Sequence, residues 1–213
     1  MTSLSKLIDI SSAIAQDSTD TVQIPDMGFE VLLPMLRRKN GLIAFESSLL
    51  VLPATRVGAV PGLLEWNSRD GWRHNYDISE DISFFAMDAF AGQFGICVDG
   101  VVRFDPETGV ITKHSTDLEG WARMVLGDYD YETGYLAAHD WQLRNAPLGT
   151  GYRLLPKVPF ILGGEYSCDN LTAWPVEDAM SQYSALHDQV TSIPDGEGLT
   201  VRGWLSTQRG SPP

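Results

Sequence analysis

The chain has 213 residues, of which 43% are hydrophobic and 20% charged, with a formal net charge of −13. A chain of this length buries roughly 70% of its unfolded surface in one large domain, and its composition excludes global disorder. The acid excess repels nucleic acid and anionic membrane and draws basic partners at long range; it is concentrated in 61–150, where 15 acidic side chains face 6 basic ones.

The chain opens with Leu4, Leu7, Ile8 and Ile14 in a helical rhythm, which predicts an amphipathic helix. Ala13-Ile14-Ala15 resembles a secretory cleavage site, but Asp9 interrupts the apolar run before it, so no secretory signal is expected and the chain reads as cytoplasmic. Gln16 to Thr21 reads as a polar turn. Met27 to Arg38 is apolar, with Pro34 inside it as a kink or break, and Asn40-Gly41 suits a cap after Arg37, Arg38 and Lys39. Leu42 to Leu52 is a continuous apolar run that periodicity leaves open between helix and strand.

The centre predicts strands. Phe94 to Val98, an Asp99-Gly100 type I′ turn, Val101 to Phe104, an Asp105–Gly109 turn and Val110 to His114 form a three-stranded antiparallel meander, with an earlier strand near Ile82 to Met87. Thr116 and Glu119 suit a capping box for a helix carrying Leu118, Trp121, Ala122 and Val125 on one face. Tyr129 to Leu143 predicts a second helix weakened by Gly134. Short strands are expected around Leu154 and at Phe160–Leu162, then a helix whose first position is Pro175 and which Ile193–Gly196 ends. Leu199 to Leu205 suits a last strand, and 206–213 a flexible tail. The organisation is one α+β domain over 1–205, with residues 1–40 a helical extension.

Catalytic and metal signatures are missing. There is no GxSxG, GxxxxGK[ST], HExxH or CxxC. Gly149-Thr150-Gly151 has Leu154 where a dinucleotide loop needs its third glycine. Asp128 to Glu132 begins like a calcium loop, but Thr133 takes the glycine position and His139 the twelfth. Cys97 and Cys168 read as buried free thiols. His74, His114, His139 and His187 fall in no ligand spacing, and no cofactor or metal is expected. Asp88, inside an apolar and aromatic stretch, reads as a carboxylate holding backbone donors at a strand kink, or else as a general base.

A set of motifs in fixed order remains. Phe85-x-x-Asp88-x-Phe90-x-Gly92-Gln93-Phe94 is followed by Phe104-Asp105-Pro106-Glu107-Thr108-Gly109 and Leu118-x-x-Trp121-Ala122. Trp141-Gln142, Leu154-Leu155-Pro156-Lys157-x-Pro159-Phe160 and Gly163-Gly164-Glu165-Tyr166 complete it. Over about 28–205, and most of all from 82 to 172, the chain resembles the SUKH superfamily of bacterial immunity-protein domains. That resemblance implies a curved antiparallel sheet with packed helices, and a partner that is a polymorphic toxin, often a nuclease or deaminase. It assigns no catalytic residue.

The expectation is therefore a non-enzymatic protein-binding domain that occludes a basic toxin. Its acidic contacts would be Asp70, Asp77, Glu80, Asp81, Asp128, Asp130 and Glu132, with Tyr129 or Tyr131 as anchor. The alternatives are a small-molecule enzyme using Asp88 and a histidine, which a concave pocket would favour, and a regulatory scaffold without a toxin. Nothing in the sequence specifies an oligomeric state.

Overall fold

The computed structural model describes residues 1–14, 29–192 and 201–205. It is a mixed α+β fold. Seven strands form one open antiparallel sheet in strict chain order: β1 (Ser12–Ala13), β2 (Leu42–Ala44), β3 (Leu49–Val51), β4 (Ser83–Met87), β5 (Gln93–Cys97), β6 (Gly100–Phe104) and β7 (Ile111–Ser115). A separate hairpin pairs β8 (Tyr152–Pro156) with β9 (Leu171–Pro175). The helices are α1 (Ser3–Ile10), α2 (Leu33–Arg38), α3 (Leu63–Trp66), α4 (Leu118–Gly127), α5 (Tyr129–Thr133), α6 (Tyr135–Arg144) and α7 (Val176–Thr191).

Both faces of the sheet are covered at β4, which is why Phe84–Met87 reads as an unbroken apolar run rather than an alternation. Successive side chains on a strand point to opposite faces. Phe84 meets Trp72 and Phe104 on one face, whereas Phe85 meets Trp121 of α4 on the other. Each of these rings is buried and contributes about 1.5–3 kcal/mol. α7 closes the first face, where Ser184 Oγ donates to the Trp72 carbonyl at 3.2 Å. Within residues 1–40, Leu7, Ile8, Phe29, Leu32, Met35 and Leu36 share this core.

Several local expectations are corrected. Leu42 to Leu52 is neither one helix nor one strand: β2 and β3 are joined by a turn in which Phe45, Glu46 and Ser47 all have positive φ. Pro34 sits in the first turn of α2, where its missing N–H costs nothing, so it begins a helix instead of breaking one. Cys97 pairs with Gly100, so the β5–β6 turn is Val98-Asp99, and Gly100 alone has a positive φ, not the pair a type I′ turn needs.

The cap of α4 is Asp117, not Thr116, with Asp117 accepting from Gly120 N–H at 2.7 Å. Glu119 instead reaches α1 and accepts from the Ser3 and Leu4 N–H groups at 2.6 and 3.0 Å. Gly134, at φ 68°, splits the expected second helix into α5 and α6. Phe160–Leu162 is a 3-10 turn, while the strand Leu171–Pro175 went unpredicted. Pro175 caps α7 from outside its first position. Residues 201–205 form no strand, and both thiols are free and half-buried. The expected turn at Gln16–Thr21, the helix end at Ile193–Gly196 and the tail from 206 lie outside the described residues.

Candidate functional site

A cleft of about 910 Å³ opens where the β4–β5 turn, strand β6, the β6–β7 turn, helices α5 and α6 and the segment after β8 converge. Its floor is Asp88, Gly92, Arg103 and Phe104 with the turn Asp105–Thr108. One wall carries Asp130, Tyr131, Leu136, Ala137 and Asp140; the other carries Phe160, Ile161 and Tyr166, and Tyr183 of α7 completes the lining.

The floor is set by Asp88. The chain turns sharply after β4, with Ala91 at φ 66°, and the Asp88 Oδ1 accepts from the Phe90 and Gly92 N–H groups, each at 2.8 Å. A Cβ on Gly92 would stand 2.5 Å from that carboxylate, so the turn closes only around glycine. Asp88 Oδ2 accepts from Arg103 Nη2 at 2.8 Å. Burial pushes the Asp88 carboxyl above its ordinary value, and Arg103 and the two N–H donors oppose that rise.

Arg103 is the hub of a larger network. Its Nη1 lies 3.4 Å from Glu132 Oε2, which is also 2.9 Å from His114 Nε2. The guanidinium stands 5.4 Å from the centre of the Phe94 ring and 5.9 Å from that of Tyr131. These distances suit cation–π contact. Glu107 is buried and accepts from the Phe160 and Ile161 N–H groups at 3.1 and 2.7 Å, fixing one wall to the floor. Burial raises its carboxyl too, against those two bonds. Phe160 and Tyr166 stack at 3.8 Å and 7°, and Tyr166 is 69% exposed.

No protein-family model matches the chain, and no curated protein matches it. Among solved structures, the crystal structure of Atu4351 from Agrobacterium tumefaciens is similar with a TM-score of 0.53, at 12% identity, over 81% of this chain and 81% of that one. At that identity the likeness is one of fold.

The residues expected to form one acidic face separate into two groups. Asp128 caps α5 and accepts from Tyr131 N–H, Tyr129 stacks on Phe45, and Asp130 Oδ1 accepts from Leu136 N–H at the start of α6. Of this group, Asp130 and Tyr131 line the cleft. Glu132 is not a surface acid: it is 4% exposed, held inside by Arg103 and His114. Asp70, Asp77, Glu80 and Asp81 are exposed but line no part of this cleft. Glu80 pairs with Arg69, and Asp70 borders a second hollow beside Trp66 and Trp72.

Sequence reasoning missed Arg103, Asp105, Glu107, Asp140 and Tyr183 as site residues. The one available signal was Arg103, a lone cation within Val101-Val102-Arg103-Phe104. The pairing of Asp88 with a histidine does not occur: none of the four histidines lines the cleft. Among the described residues no group of three or more His, Cys, Asp or Glu is placed to hold a metal, and no helix is long and apolar enough to cross a membrane.

Proposed function

We propose that this chain is a non-enzymatic protein-binding domain of the immunity type, which acts in the cytoplasm by covering the working surface of a basic toxin. One observation carries this reading. The cleft lining holds five carboxylates, Asp88, Asp105, Glu107, Asp130 and Asp140, against one guanidinium, Arg103, and its rim leaves Tyr131 75% exposed. An acidic hollow with open aromatic rings on its rim suits capture of a cationic protein surface: charge speeds the encounter and aromatic contact slows release.

The enzyme reading draws on the same hollow, whose volume suits a small molecule. It is the weaker one, because the expected base, Asp88, is held by Arg103, Phe90 and Gly92, and no histidine lines the cleft beside it. The test is capture of basic toxin-like proteins encoded beside this gene by the immobilised full chain. Retention at low ionic strength and release at high salt are expected. A chain that retains none of these proteins at low salt is not an immunity protein of this kind.

A further inference from the structure

The carboxylates of the cleft are not equivalent. Asp88, Asp105 and Glu107 already accept hydrogen bonds from within the fold. Asp140 is exposed and receives no hydrogen bond from the described residues, and the second oxygen of Asp130 is likewise uncommitted. Two acceptors that line the cleft are therefore without a partner among the described residues. A third group points the same way: Tyr183 is 1% exposed, yet it lines the cleft and its hydroxyl has no hydrogen-bond partner among the described residues. That hydroxyl is not fully buried, and a donor entering the cleft could bond to it.

The aromatic rings narrow the identity of that donor. Tyr166 stacks on Phe160 at 3.8 Å, meets Phe90 edge-on at 6.0 Å and is still 69% exposed, and Tyr131, 75% exposed, also lines the cleft. Flat open rings beside carboxylates favour a planar cation over a compact ammonium. The fold already holds one such cation: the Arg103 guanidinium pairs with Asp88 while standing over the Phe94 and Tyr131 rings.

We infer, resting on the protein-binding reading above, that the cleft takes an arginine side chain of the bound protein, stacked against Tyr166 and paired with Asp140 and Asp130. Leu136 and Ile161, both exposed at the rim, would meet apolar neighbours of that arginine.

The test uses the full 15N-labelled chain and three capped peptides: Ala-Leu-Arg-Leu-Ala, the same with lysine, and the same with citrulline. The arginine peptide is expected to give saturable shifts at the Gly134, Asp140 and Ile161 amides, and to bind about threefold or more tightly than the lysine peptide. Citrulline, isosteric but uncharged, should give none. Asp140→Asn and Tyr166→Ala alter exposed side chains, so thermal midpoints should hold while each weakens the arginine peptide by about 2–5-fold.

Shifts elsewhere on the surface, or equal affinity for the lysine peptide, would overturn the inference. So would toxin capture that survives both substitutions; in that outcome the broader reading stands on another surface. If the arginine peptide binds as described and no neighbouring toxin is captured, the site stands and the immunity reading falls.

Discussion

Arg153 is fully buried on β8, and only its Nη1 is bonded, to the Tyr152 carbonyl; Nε and Nη2 have no partner among the described residues. Asp88 provides favourable charge nearby but is itself held by Arg103. A buried cation with orphaned donors is a cost to the fold, and apolar replacement of such groups is often neutral or stabilising by about 1–4 kcal/mol. Arg153→Met is therefore expected to hold or raise the urea midpoint at neutral pH; a clear drop would show that Asp88 depends on both arginines. The pH dependence has a definite sign. Burial pushes the Arg153 guanidinium down to about 9, while an unfolded arginine keeps its proton well above that. The penalty is thus complete below about 9 and fades as pH rises past it. The advantage of Arg153→Met should narrow between about pH 8 and pH 10.

At the scale of the element, two local devices hold helices in place. Gly134, in the left-handed region between α5 and α6, would place a Cβ 2.3 Å from the Phe90 ring. Gly134→Ala should cost at least about 1–2 kcal/mol from backbone conformation alone, measured as a lower denaturation midpoint. Glu119 anchors α1 from outside: the Leu4 and Ser3 N–H groups hold its carboxyl below the ordinary 4.5. A depressed folded value means stability that is present above the unfolded value and lost as pH falls through the folded one. The hydrogen-exchange protection factors of the Leu4–Ile8 amides should fall below about pH 4.5, and Glu119→Gln should abolish that pH step. If the step persists in the variant, another group anchors α1.

The meander was legible because its turns carry their own chemistry, Asp105–Gly109 above all. Leu42–Leu52 was not, because four turn residues without glycine or proline hide a reversal. Glu119 and Glu132 misled for a shared reason. Their partners lie 115 and 29 residues away, at Leu4 and Arg103, and no local spacing reports such contacts.

For the whole molecule, a net charge of −13 repels itself in the compact state. The thermal midpoint of the free chain should rise when salt is increased from about 20 to 200 mM, where the screening length falls to about 7 Å. Under the proposed function the same salt weakens capture of a basic partner, so stability and binding would move in opposite directions. A midpoint that falls with salt would mean that ion pairs such as Arg56 with Glu177 outweigh the repulsion.

Each strand of the large sheet is hydrogen-bonded to its predecessor, from β1 through β7. During synthesis, no strand has to wait for a later one before it can dock. The floor at Asp88–Thr108 leaves the ribosome before α6, Phe160, Tyr166 and Tyr183. A half-made chain thus displays the negatively charged floor without the walls that enclose it, and the cleft is whole only once translation has passed α7.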